Sequence, residues 1–125
     1  MNAPVSNKLD LGPLREMDGY LASAIVDSSS GMTLAVDGGG ESFNIEMAAA
    51  GNTDVVRKKR DVMKKLKLND KIEDMLISLQ KQYHLIRPLE SNDALFIYVA
   101  LDRSKANLGM ARNELNSFEK GLDIA

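Results

Sequence analysis

The chain has no cysteine, no tryptophan, a single histidine and three prolines, and only 5% of its 125 residues are aromatic. Without cysteine there is no disulfide, no thiolate metal site and no cysteine nucleophile, a composition that suits a reducing compartment and predicts a cytoplasmic protein. One histidine, His84, leaves a histidine-based metal site or a conventional catalytic triad without partners, although a single imidazole can still serve as a general base. Seven methionines in place of aromatics mean that packing relies on small and adaptable aliphatic groups. No stretch of 18 apolar residues is present, so no membrane span is expected, and no apolar segment near the start suggests a secretory signal. Sixteen basic residues against 18 acidic ones give a net charge of −2, which provides no whole-chain attraction to nucleic acid or anionic lipid.

What remains is ordinary globular material, 44% hydrophobic and 27% charged, at a length that predicts one domain over residues 1–125. The longest apolar run is Leu95-Phe96-Ile97-Tyr98-Val99-Ala100-Leu101. A run this short, rich in β-branched and aromatic residues, reads as a central strand buried on both faces. Burying a large apolar side chain is worth about 1.5–3 kcal/mol, so the run contributes on the order of 10 kcal/mol gross before chain entropy is set against it. That surface demands strands on either side and helices on both faces.

Around this strand the other elements fall into place. Residues 1–6 are small and polar, and Leu9, Leu11, Leu14 and Met17 then recur near helical spacing despite Gly12 and Pro13, predicting a short, interrupted first helix. Residues 20–26 and 32–36 read as a hairpin joined by Asp27-Ser28-Ser29-Ser30-Gly31, in which Asp and Ser tie the turn and Gly31 takes the left-handed conformation. After the breaker Asp37-Gly38-Gly39-Gly40, a proline-free stretch over about 42–66 predicts the principal helix. Ala48-Ala49-Ala50-Gly51 removes bulk at its mid-length. An interior glycine costs roughly 1 kcal/mol relative to alanine, so Gly51 points to a tight helix contact or a local break, and the contact is the preferred reading. Residues 72–79 and 83–88 read as a second hairpin around Gln80-Lys81-Gln82. Asp102 or Ser104 is the expected cap of a last helix with Leu108, Ala111, Leu115 and Phe118 on one side, ended by Gly121.

No group of residues specifies an active site. Gly38-Gly39-Gly40 before a helix resembles a phosphate loop only superficially, since Glu41-Ser42 follows where Lys-Ser or Lys-Thr is required. It reads as a turn. His84 reads as a structural histidine, and Asp102 as a cap rather than a catalytic acid. Glu73-Asp74, adjacent on the expected strand, point to opposite faces and do not converge. Arg57, Lys58, Lys59, Arg60, Lys64, Lys65 and Lys67 place seven of the sixteen basic residues near one helix C-terminus, where they complement the helix dipole. An acidic protein partner is the alternative for this face; without interleaved aromatics, nucleic acid is a weak one.

The motifs Ala24-Ile25-Val26-Asp27, Gly31-Met32-Thr33-Leu34-Ala35 and Tyr83-His84-Leu85-Ile86-Arg87-Pro88-Leu89 resemble the Roadblock/dynein light chain family. Residues 95–102, Ala106-Asn107-Leu108 and Ala111-Arg112 are similar to its last strand and helix, so the resemblance runs from Leu9 to Phe118 and favours a compact bacterial member. It implies a profilin-like α/β sandwich: a five-stranded antiparallel sheet in the order 2-1-5-4-3, with the long helix on one face and the terminal helices on the other. It also implies a noncatalytic homodimer without cofactor or metal that binds and regulates a Ras-like small GTPase or acts as a scaffold. The implied dimer interface is Ile45, Ala48, Ala49, Asn52 and Val55 on the long helix with Met75 and Ile77 on the third strand. Arg57, Arg60, Arg103 and Arg112 are available as arginine fingers, and none is marked as one. A scaffold of an unrelated assembly and a small-molecule sensor on the same architecture are the competing functions.

Overall fold

The computed structural model describes residues 9–41 and 43–122. The reading of residues 1–6 as a polar start, and of position 42 as the beginning of the long helix, falls outside them. The described elements are a 3-10 helix Gly12–Glu16, β1 Tyr20–Asp27, β2 Thr33–Gly38, α1 Ile45–Lys65, β3 Met75–Ser78, β4 Gln82–Pro88, β5 Leu95–Asp102 and α2 Leu108–Lys120. They form one antiparallel sheet in the order β2-β1-β5-β4-β3. This is the order implied by the resemblance.

β5 occupies the centre, and every side chain from Leu95 to Leu101 is buried. Alternation along the strand divides that burial between two layers. Ile97, Val99 and Leu101 pack with Leu11, Leu14 and Met17 from the first segment and with Ala111 and Leu115 of α2. Phe96, Tyr98 and Ala100 point the other way, toward Ile45, Ala49 and Val56 of α1. Ala22 and Ala24 of β1 and Ala100 of β5 lie on the α1 side and are fully buried. Their small side chains let the helix backbone settle close to the sheet.

Local chemistry accounts for the element boundaries. Pro13 near the start of the first segment and the Asp10 Oδ1 acceptor for Gly12 N at 2.8 Å hold the chain in a single 3-10 turn, shorter than the expected helix. Arg15 then pairs with Asp37, and Tyr20 Oη donates to Asp37 Oδ2 at 2.6 Å, tying this segment to β2. In the first hairpin Asp27 Oδ1 accepts from Ser29 N at 2.9 Å and Gly31 has φ +79°, as the turn chemistry predicts. Gly38 has φ +74°, and a Cβ there would lie 2.4 Å from Leu21 O, so the glycine run is a turn requirement.

α1 begins at Asn44, whose side chain accepts from Met47 N at 3.0 Å, and continues unbroken through Gly51. A side-chain carbon at Gly51 would meet open space, so the tight contact expected there is not made within the chain. The helix ends in a Schellman motif, with Leu68 N donating to Met63 O and Lys67 N to Lys64 O, both at 3.0 Å. Lys67 occupies the left-handed position of this motif at φ +57°.

Two expectations are corrected. β3 is only Met75–Ser78, so Glu73 and Asp74 precede the strand, and Asp74 accepts from Arg112 Nε of α2 at 3.1 Å. The last helix is capped by Asn107, which accepts from Met110 N at 3.1 Å, rather than by Asp102 or Ser104. Asp102 instead binds Ser104 N at 3.0 Å, making the turn by which the chain leaves β5 before helix can begin.

Two outcomes are expected. Ile97→Asp should abolish the cooperative thermal melt, because an unpaired carboxylate in a strand buried on both faces costs several kcal/mol against a small net stability; a near-native melting temperature would refute the placement. Lys67→Gly should stabilise by about 0.5–1 kcal/mol, seen as a rise of a few degrees in Tm, because glycine adopts the left-handed position without strain.

Candidate protein-interaction face

α1 lies against β1 and β2, toward one side of the sheet. The strand register then shows what stands beside it. Met75 pairs with Ile86 and Ile77 with His84 across β3 and β4, while Ile86 pairs with Tyr98 and His84 with Ala100 across β4 and β5. Cross-strand partners share a face, so Met75, Ile77 and His84 stand on the same side of the sheet as α1. All three are half-buried. β3 is an edge strand of four residues with no charge or proline to guard its outer hydrogen-bonding groups. The adjoining flank of α1 carries Ala48, Gly51, Asn52 and Val55, three or four residues apart and without charge.

A polar chain crosses this face. His84 Nε2 lies 2.8 Å from Gln82 Oε1, and His84 Nδ1 lies 3.2 Å from Tyr98 Oη. Gln82 Oε1 can only accept, so Nε2 carries the proton and Nδ1 accepts from the tyrosine hydroxyl. The Asn52 side chain lies toward the same hydroxyl and favours its ionised form. Burial pushes the Tyr98 hydroxyl up to about 12, opposed by Asn52, and burial lowers His84 below its ordinary value. The rings of Phe43 and Tyr98 both meet the imidazole edge-on, with centroids at 6.2 and 5.4 Å. His84 is thus structural, as its context in the sequence predicts, and its wiring holds one neutral tautomer.

The seven residues assigned to an interface by resemblance separate into two groups. Ile45 and Ala49 are 5% and 0% exposed and belong to the core between α1 and the sheet, so their side chains cannot reach a second copy. The resemblance carried over one broad side of the helix, in which the flank and the buried face of α1 adjoin. Ala48, Asn52, Val55, Met75 and Ile77 retain exposure, and Val55 is 37% exposed. Tyr98 and Phe43 belong to this face and were not legible as such. Tyr98 sits inside an apolar run, and Phe43 reaches the imidazole only through the turn from β2 into α1. The two-residue spacing of Gln82, His84 and Ile86 was the one available signal.

The candidate arginine fingers are all engaged within the chain. Arg57 Nε donates to Ser28 O at 2.7 Å and its guanidinium also meets Ser29 O, while Arg60 donates to Asp93 O at 2.7 Å. Arg103 donates to Leu79 O at 2.9 Å and lies over the Tyr83 ring, and Arg112 pairs with Asp74. A groove of about 520 Å³ beside the end of α1 is lined by charges of both signs, Arg60, Lys64, Lys71 and Arg87 with Asp70, Glu73, Glu90 and Asp93. Among the described residues no group of three His, Asp or Glu could hold a metal ion, and no helix is long and apolar enough to cross a membrane. The division of α1 into a buried face and an open flank is testable. Ala49→Arg should destroy the cooperative melt, whereas Val55→Arg should leave Tm within a few degrees of wild type, because only the first site is closed by the sheet.

No protein-family profile and no curated protein match the sequence. Solved structures do. MglB of Myxococcus xanthus superposes with a TM-score of 0.81 at 14% identity, over 98% of this chain and 90% of that one. A second MglB structure, described as having a tetrameric arrangement, gives 0.76 at 14% identity over 98% and 89%. A Roadblock/LC7 domain from Streptomyces avermitilis gives 0.74 at 11% identity over 87% of each chain. Identities this low speak for architecture, and with the strand order and the two-sided helix cover they establish that the chain has the Roadblock/LC7-type fold.

Proposed function

We propose that the chain is a noncatalytic, cytoplasmic homodimeric regulator or scaffold that binds a Ras-like small GTPase, and that two copies pair through β3 and the open flank of α1. The observation that carries the pairing is the half-covered strip of Met75, Ile77 and His84 beside an unguarded strand edge. A second copy would cover the apolar side chains and satisfy the edge together. Ala48, Asn52, Val55, Met75 and Ile77 form the contact, and Ala48 and Gly51 allow a partner helix to approach closely. The resemblance of the sequence motifs to the Roadblock/dynein light chain family supports the GTPase partner, and the fold likeness to MglB supports a role in regulation.

The engagement of Arg57, Arg60, Arg103 and Arg112 within the chain favours action by surface contact over insertion of an arginine into a partner's active site. Sedimentation across a concentration series tests the dimer. Val55→Arg should weaken association at least tenfold, equivalent to about 1.4 kcal/mol, while Lys58→Ala, on an exposed face, should leave it unchanged within roughly 0.5 kcal/mol. A folded Val55→Arg protein that associates like wild type would place the interface elsewhere. A pull-down from the native cell extract, read for a GTPase, tests the partner, and a GTPase absent from the captured proteins would favour the unrelated scaffold.

A further inference from the structure

We infer that His84 makes the self-association of this protein pH-dependent, the dimer weakening as the imidazole is protonated. This rests on the pairing face proposed above and adds its regulation. His84 stands in the middle of that face, level with Ile77 on the edge strand and half-buried in the single chain. A second copy laid on Met75 and Ile77 would remove its remaining solvent, and desolvation disfavours the charged form.

The hydrogen-bond wiring makes the same demand. From Tyr98 through His84 to Gln82, each donor has one acceptor. A proton on Nδ1 turns that nitrogen into a donor and takes away the acceptor of the Tyr98 hydroxyl. In the single chain the half-buried imidazole can still turn toward solvent, although the hydroxyl of the fully buried Tyr98 cannot. Beneath a second copy the imidazole loses that freedom too, and an orphaned buried donor is costly.

One charge shares this side of the sheet, Asp102, which pairs with Gln82 across β4 and β5, and its carboxylate is tied to Ser104 N and Oγ rather than to the imidazole. β3 contributes Met75 and Ile77, β5 contributes Ala100 and Tyr98, the approach to α1 contributes Phe43, and the flank of α1 contributes Ala48, Asn52 and Val55. Tyr98 is the one titratable group among them, and it stays neutral throughout the range in which histidine titrates. Arg103 lies over Tyr83, which pairs with Leu101 and so belongs to the opposite face. Lys59, a turn beyond Val55, is the first charge on the flank and repels a protonated imidazole if it acts at all.

The sign follows from linkage. Burial already lowers His84 in the single chain, and pairing lowers it further, so the dimer binds fewer protons than two separate copies. Affinity is therefore full above the single-chain value, which lies below the ordinary value of about 6.5, and falls as pH drops through it. With two imidazoles per dimer the dissociation constant rises by up to about a hundredfold per pH unit at the acid end.

The test is sedimentation of the full chain and of His84→Gln over a concentration series at about pH 7.5, 6 and 5, with circular dichroism confirming the fold at each pH. Glutamine keeps a donor and an acceptor but does not titrate. The proposal expects wild type to dissociate at least about tenfold more readily at the lowest pH than at the highest, and the variant to show a flat profile whatever its absolute affinity. A wild-type dimer with a flat profile overturns the switch and leaves the pairing face standing. A variant that keeps the wild-type slope also overturns it, assigning the dependence to other groups. A wild-type chain monomeric at every pH overturns the pairing face and the switch together.

Discussion

The constraint on which the molecule depends is the two-sided burial of β5. Seven consecutive apolar side chains have to be covered on both faces, and the two covers are unequal. On one side the first segment and α2 close over Ile97, Val99 and Leu101, and α2 is held there by Arg87, which donates to Glu119 Oε1 at 2.7 Å and to Asn116 Oδ1 at 2.9 Å. On the other, a single long helix covers Phe96, Tyr98 and Ala100. Because Ala22, Ala24 and Ala100 present almost no bulk, that helix packs closely and over a narrow width. It reaches β1 and β2 and leaves Met75, Ile77 and His84 at the far side of its own face half-covered.

That asymmetry links the fold to the site. Arg57 grips the first hairpin loop and Arg60 the loop before β5, so two backbone clamps hold α1 on its side of the sheet. The cations that look in sequence like a reactive or electrostatic feature are, at these two positions, structural fasteners. What the clamped helix leaves half-covered is a strip one strand pair wide, apolar at Met75 and Ile77 and wired at His84, ending in a free strand edge. A surface of this kind suits protein contact better than chemistry, since its polar atoms are already committed to one another.

Much of the architecture was legible because it rests on periodicity and turn chemistry. The apolar run at 95–101 located the central strand, Gly31 and the glycines at 38–40 located the reversals, and the long proline-free stretch located α1. Where the reading erred, a local competition had been decided by tertiary partners. Asn107 captured the cap because Asp102 was already bound to Ser104, and β3 starts late because Asp74 is drawn to Arg112 on α2. The face of α1 was harder. Residues 45, 48, 49, 52 and 55 share one broad side by helical spacing, and spacing alone does not tell the buried stripe of Ile45 and Ala49 from the open flank of Ala48, Asn52 and Val55. The polar chain through Tyr98 joins β5 to β4, residues 98 to 84 and 82, and leaves almost no local pattern.

The central claim is that β3 and the α1 flank are completed by a second copy. Hydrogen exchange at the β3 amides of residues 75–78, followed as a function of protein concentration, addresses it directly, because an edge strand paired only on one side exchanges readily and a strand paired on both does not. The account predicts that protection of these amides and of those along the open flank of α1 rises with concentration, while the free edge at β2 is unaffected. Concentration-independent exchange at β3 in a protein that self-associates by sedimentation would contradict it.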